Sequence, residues 1–196
     1  DKALDRGVSQ VGCLGAGNHF LEVETVGNID NKDILNKFGL KENQVCLMVH
    51  TGSRGFGHQV CTDYIKKIRR KYPNIVNELP DKELIYAPAG SDMAVDYYQA
   101  MSAAANFAFA NRQLITHQAR KAFQEVFDID YEHMPIVYGV CHNIAKKESH
   151  KINDKNRDRF VHRKGATRAF PAGHEKIPKK YRDVGQPVLI PGNMGQ

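Results

Sequence analysis

The sequence predicts an α+β (irregular α/β) fold, and three observations carry that expectation. Two continuous apolar runs, 44–49 and 134–141, have the pattern of strands buried on both faces. A helical pattern extends over residues 91–127 between them, apolar on nearly every face through Ala110 and amphipathic beyond it. Strands and helices otherwise mix without the regular βαβ alternation of a doubly wound sheet.

Taken in order, residues 8–26 read as extended chain broken by the glycine-rich stretch 12–18, with a strand leaving it at Phe20. Residues 31–38 form a short helix, capped by Asn31 or Asp33 and closed by Gly39. The run 44–49 delivers His50 and a loop, Thr-Gly-Ser-Arg-Gly-Phe-Gly, after which 58–72 is helical with a basic end that Pro73 stops. The second apolar run, 134–141, delivers His142 and Asn143. Shorter strands are expected at 159–163 and 187–190. There is no internal repeat and no low-complexity segment.

Composition narrows the function classes. Of 196 residues, 41% are apolar and 26% charged, the balance of a globular protein rather than a disordered one. No apolar run reaches the roughly 18 residues of a membrane span, and the first residues lack the apolar core of a signal peptide. Four cysteines without a C-x-x-C pair fit a reducing, cytoplasmic setting, or the nucleus as well in a eukaryote. The lack of an initiating Met, and an end on Pro-Gly-Asn-Met-Gly-Gln, suggest a piece of a longer protein. Net charge is +6, and residues 142–182 hold 13 Lys and Arg against 4 Asp and Glu, a local +9 on a body of −3. Such a block reads equally as a footprint for polyphosphate or nucleic acid and as a solvated face.

Three histidines, His19, His50 and His142, stand where strands meet glycine-rich or polar loops. Imidazoles held at strand ends suit Mn, Fe or Zn, although separations of 31 and 92 residues match no compact metal motif, and three separate hydrogen-bonded histidines are the more common outcome. Gly12, Gly15 and Gly17, with Gly52, Gly55 and Gly57 around Arg54, would let backbone amides converge on an anion, or simply make tight turns. Neither loop is a P-loop or a dinucleotide fingerprint. Glu22 could accept from a base edge or merely face solvent on a strand. The remaining histidines, the aromatic stripe of 97–109 and Cys46, Cys61 and Cys141 read as surface, core packing and buried small hydrophobes respectively.

Five segments taken together go further. Gly-Cys-Leu-Gly-Ala-Gly-Asn-His-Phe-Leu-Glu-Val (12–23), His-Thr-Gly-Ser-Arg-Gly-Phe-Gly-His-Gln-Val (50–60), Cys-His-Asn-Ile-Ala (141–145), Val-His-Arg-Lys-Gly-Ala-Thr-Arg-Ala-Phe-Pro (161–171) and Gly-Gln-Pro-Val-Leu-Ile-Pro-Gly-Asn-Met-Gly (185–195) closely resemble, in family order, the RtcB family of RNA-splicing ligases. The resemblance implies an RtcB-like fold of mixed sheets with a long buried helix and a site at strand ends. On it, residues 1–196 are the central part of a single catalytic domain whose flanking parts are missing.

The activity so implied is joining of an RNA 2′,3′-cyclic phosphate or 3′-phosphate end to a 5′-hydroxyl end, through protein–guanylate and RNA–guanylate intermediates. GTP and two Mn²⁺ ions are the implied cofactors. RNA (tRNA halves or broken ends) and an archease-type activator are the implied partners, with no membrane. His19, His50 and His142 match the family's metal-binding histidines. Asn18, His19, Phe20, Leu21, Glu22, His142, Asn143, Pro191, Gly192, Asn193 and Met194 match positions that contact the guanylate. Arg54, Arg163, Lys164 and Arg168 become candidates for RNA or nucleotide phosphates. The guanylylated histidine is expected beyond Gln196, so this chain holds no catalytic nucleophile. A metal-binding Asp and Cys are expected before Asp1. Two other classes remain as alternatives: a catalytically inactive RNA- or nucleotide-binding module, and a metal-dependent phosphohydrolase.

Overall fold

Helices and small antiparallel sheets mix along the chain without βαβ alternation, in a computed structural model that describes residues 1–190. They fall into two compact units, one of residues 1–22 and 47–131, the other of 23–46 and from 132 onward.

The first unit is mainly helical. Helix α1 (Lys2–Val8) is capped by Asp1, whose carboxylate accepts from Ala3 N–H. It packs on α3 (Arg54–Lys71), and α3 packs on the long helix α5 (Asp92–Phe127). Gly7 permits the first contact, since a Cβ there would stand 3.3 Å from Phe56 Cβ and 3.4 Å from the Phe107 ring. Ser91 caps α5 by accepting from Ala94 N–H. Helix α5 was expected to be buried all round through Ala110. It instead buries one stripe (Ala104, Ala108, Asn111 and Ile115), and Phe109 stays 46% exposed. That spacing of four, three and four residues is a single helical face.

Strands β1 (Phe20–Thr25) and β2 (Val45–His50) lie where strands were expected and pair in a two-stranded sheet. The run 44–49, expected to be buried on both faces, has no buried residue, and Val45 is 53% exposed. Each strand runs from one unit into the other. Between them α2 (Lys32–Phe38) has the expected caps: Asn31 Oδ1 accepts from the amides of Asp33 and Ile34, and Gly39 closes it in the left-handed conformation. Helix α3 begins four residues earlier than expected, at Arg54. Pro73 does not simply end it but opens α4 (Pro73–Glu78) as its first residue, where proline's missing N–H costs nothing.

The second unit contains the longest ladder. Strands β3 (Asn143–Ile152) and β4 (Lys155–Lys164) form a hairpin ten residues long on each side. Its two-residue turn, Asn153–Asp154, has positive φ at both positions (49° and 59°), the requirement of a type I′ turn. The expected strand 159–163 is thus part of β4, and β3 was not anticipated because its residues are mainly polar. Two other expectations fail. Residues 134–141 and 187–190 form no strand, and Ile136 and Ile190 are exposed. An apolar run favours extended chain, but a strand also needs a second strand to ladder with, and neither run has one among the described residues. Tyr181 and Ile177 are the buried centre of this unit. The Tyr181 hydroxyl donates to Val137 O at 2.5 Å, and its ring meets Phe38 and Tyr138 edge-on.

Candidate functional site

In the first unit, buried side chains bind the glycine loop 12–17 to the loop 51–53. Asn111 is wholly inaccessible to solvent. Its Oδ1 accepts from Gly12 N–H at 2.7 Å, and its Nδ2 donates to the carbonyls of Cys13 and Gly52 at 3.2 and 3.1 Å. Thr51 Oγ1 donates to Leu14 O at 2.7 Å, and Arg112 Nη1 donates to Thr51 O at 3.3 Å. Gln10 Oε1 accepts from Gly55 N–H at 2.7 Å. The amides of Gly12 and Gly55 are therefore held within the protein, and Gly57 N–H bonds Ser53 O. Convergence of all six glycine amides on an anion is not what these loops are built for.

The loops bring two of the three predicted histidines together. The rings of His19 and His50 lie 6.0 Å apart between centroids, and Phe20 meets His50 edge-on at 5.0 Å. Both histidines are half-buried at the strand ends. Strand alternation puts Phe20 and Glu22 on the more covered face of β1, whereas Leu21 lies on the other and Asn18 is exposed.

Arg54 completes this group. Its Nη1 bonds His19 Nδ1, and its guanidinium lies over Gly15, where any Cβ would overlap it. Gly15, at φ +106°, is the residue that allows this approach. Arg54 itself has φ +52°, a left-handed backbone that non-glycine residues adopt at a cost and that recurs at functional sites. Its Nε is buried without a hydrogen-bond partner, as is Arg112 Nη2. No carboxylate forms an ion pair with Arg54 among the described residues.

Two half-buried imidazoles at this separation can offer nitrogens to one transition-metal ion. Two ligands are only part of a coordination sphere. Among the described residues no three His, Cys, Asp or Glu side chains gather at one point. A neutral imidazole that accepts from Arg54 at Nδ1 carries its proton on Nε2. A metal on His19 therefore requires Arg54 to release that nitrogen.

The remaining predicted residues belong to the second unit. His142 is half-buried, and Asn143 opens β3, its Oδ1 accepting from Gly165 N–H at 3.0 Å. Arg163 is not free for phosphate: its fork donates to both oxygens of Glu148 at 2.8 and 2.9 Å, with the carboxylate side chain only 2% exposed. The two residues share one face of the hairpin. The Arg163 hydrogen bonds, with a further contact from His150 at 3.0 Å, hold the Glu148 carboxyl down to about 2. Lys164 is exposed. Arg168 lies over the Phe170 ring at 4.7 Å, and Phe170 stacks on His174. Pro191, Gly192, Asn193 and Met194 lie outside the described residues.

Sequence reasoning missed Asn111, Arg112 and Glu148. The available signal was a polar residue on an otherwise apolar helical stripe in the first case, and the single carboxylate of the basic strand β3 in the last. Cys61, expected to be buried, is exposed on α3, whereas Cys46 and Cys141 are half-buried. Burial, followed by the Glu24 charge, raises the Cys46 thiol, which suits an inert side chain. No helix among the described residues is long and apolar enough to cross a membrane.

Comparison with known proteins agrees with the five motifs. The chain is 56% identical over 197 residues to a tRNA-splicing ligase RtcB of Pyrococcus furiosus, covering 99% of this chain and 20% of that protein. It is 56% identical over 199 residues to the protein of the same name from Thermococcus kodakarensis, covering 99% and 41%. With that of Methanocaldococcus jannaschii the identity is 53% over 197 residues, covering 100% and 20%. The chain thus spans between a fifth and two fifths of the length of these relatives. The family profile described as tRNA-splicing ligase RtcB matches residues 1–196 without remainder, and the chain belongs to the RtcB family.

Proposed function

We propose that this chain is the central part of a GTP- and Mn²⁺-dependent RNA ligase of tRNA splicing and RNA repair, joining a 2′,3′-cyclic phosphate or 3′-phosphate end to a 5′-hydroxyl end. The observation that carries the reading is the meeting of His19, His50 and Arg54 at the mouth of two tethered glycine loops, in a chain of this family. His19, His50 and His142 are the proposed metal-binding histidines, as their match to the family motifs implies. When bound, Mn²⁺ would supply Lewis-acid stabilisation of charge spreading over phosphoryl oxygens. Arg54 would exchange its bond with His19 for a phosphate oxygen pair, which its planar fork fits. Phe20 and Glu22 would receive the guanine, the carboxylate accepting from N–H donors of its base edge. Asn18, Leu21, Asn143 and the 191–194 segment complete the proposed guanylate contacts. GMP would pass from a histidine beyond Gln196 to the RNA 3′-phosphate, and the 5′-hydroxyl would then displace it. Lys164 and Arg168 would track the RNA backbone. An archease-type activator is the proposed protein partner.

The test is a joining assay on the full-length protein with two RNA oligonucleotides, one ending in a 3′-phosphate and the other beginning with a 5′-hydroxyl. A joined product that needs both GTP and Mn²⁺ is expected. Failure to join with GTP and Mn²⁺ present, or joining that runs equally well on ATP, would contradict the proposal.

A further inference from the structure

Asn111 is the least accessible side chain in the first unit, with 0% of its surface exposed, and it sits in the middle of α5, where an apolar residue would otherwise continue the stripe. A buried carboxamide is tolerated only when its donors and acceptor are matched. Its hydrogen bonds all go to loops rather than to its own helix. Gly12 and Cys13 lie 99 and 98 residues away in sequence, and Gly52 lies 59 away. One rigid group therefore grips two loops at once, from the helix on which both rest. The first loop continues through Gly15 and Gly17 to His19. The second starts at His50 and leads to Arg54. Arg112, the next residue on α5, supports the same second loop through Thr51 O, and Thr51 in turn donates to Leu14 O.

We propose that Asn111 is a positioning residue: its carboxamide sets the spacing of the two glycine loops, and through them the separation of the His19 and His50 imidazoles. The proposal rests on the reading of those histidines as metal ligands. Groups that orient ligands from behind are typically worth roughly 10–100-fold in metal affinity. Two donations to carbonyls of different loops are what an apolar residue of equal size cannot reproduce. The carboxamide thus does more than fill space.

The experiment uses the full-length protein and three variants. Asn111→Leu keeps the branched shape and removes every side-chain hydrogen bond, and Asn111→Ala serves if the larger leucine does not fold. Ile115→Ala removes buried surface from the same stripe and takes away no hydrogen bond to either loop. For each, Mn²⁺ affinity is measured by titration, amide hydrogen exchange is followed over 12–17 and 50–55, and melting temperature is recorded. The expected result is faster exchange in both loops and a roughly 10–100-fold loss of Mn²⁺ affinity in the Asn111 variants. Ile115→Ala should lower the melting temperature and leave loop exchange and metal affinity close to the parent. Unchanged exchange in a folded Asn111 variant overturns the proposal, as does equal loosening of both loops in Ile115→Ala. A His50→Ala variant separates the two levels. If it keeps its metal, the ligand reading falls and the proposal falls with it. If it loses metal while the Asn111 variants have loose loops and intact Mn²⁺ affinity, the ligand reading stands and the positioning role alone is refuted.

Discussion

Glu148 and Arg163 form a buried ion pair in which each residue depends on the other. With the carboxyl held at about 2 against an ordinary 4.5, the folded state favours the ionised form. The stabilisation is therefore fully present above about pH 4.5 and is lost as the pH falls toward 2. It amounts to about 3 kcal/mol. Removing one partner leaves a buried charge without compensation, so Arg163→Ala should destabilise by about 3–5 kcal/mol, more than the double variant Glu148→Ala/Arg163→Ala. Denaturant melts of the single and double variants check this. A single variant no less stable than the double would mean that the pair does not matter.

Arg54 yields a second prediction at the same scale, because a neutral His19 cannot accept from Arg54 at Nδ1 and bind metal through Nε2 at once. Arg54→Ala should leave Mn²⁺ affinity equal or tighter while GTP affinity falls. Parallel titrations with Mn²⁺ and GTP decide it, and a joint loss of both would contradict the assigned roles.

At the scale of elements, the hairpin turn is the place where one substitution should improve the fold. Asp154 holds φ +59° without being glycine, and its ion pair with Lys151 at 3.0 Å is almost wholly exposed and contributes little. Asp154→Gly should relieve the left-handed backbone and stabilise the hairpin by a few tenths to about 1 kcal/mol, measured as slower amide exchange along β3 and β4. The same hairpin shows what sequence could and could not convey. Helix α2 was legible down to its caps because Asn31 and Gly39 act locally. Strand β2 was legible because its apolar run has β1 to ladder with. The run 134–141 has an equally apolar pattern and no such strand beside it among the described residues, and pairing is a property of two segments that one of them cannot announce. Strand β3 was hidden for the opposite reason: polar residues dominate it, and its one buried position is held by Glu148 rather than by an aliphatic side chain. His19, His50 and Arg54 were legible as strand-end and loop residues with suitable chemistry. Asn111 was not, because its partners are remote in sequence and a helical asparagine carries no mark of what it bonds.

For the whole molecule, the uneven charge is the main electrostatic feature, with 13 cations against 4 anions between residues 142 and 182. The structure sorts those cations by what they touch. Arg163 is committed to Glu148, and Arg168 is held near Gln186 and the Phe170 ring. Lys164 is exposed at the end of β4, and Lys179 and Lys180 are exposed in a separate 3₁₀ turn. In the full-length protein, Lys164→Ala/Arg168→Ala should weaken RNA binding and lower the slope of log K against log salt by roughly 0.7 for each phosphate that is no longer neutralised. Lys179→Ala/Lys180→Ala should change only long-range attraction, which salt screens. Salt titrations of RNA affinity compare the two pairs, and equal slopes would reduce the block to a diffuse positive surface.

The central claim is that His19 and His50 belong to the metal and guanylate site of an RNA ligase. Its most direct test is to incubate the full-length protein with labelled GTP and Mn²⁺ and resolve the products on a denaturing gel. An acid-labile label that requires Mn²⁺ and disappears in His50→Ala is the predicted result. A label of undiminished strength in His50→Ala, or an unlabelled wild-type protein, would contradict it.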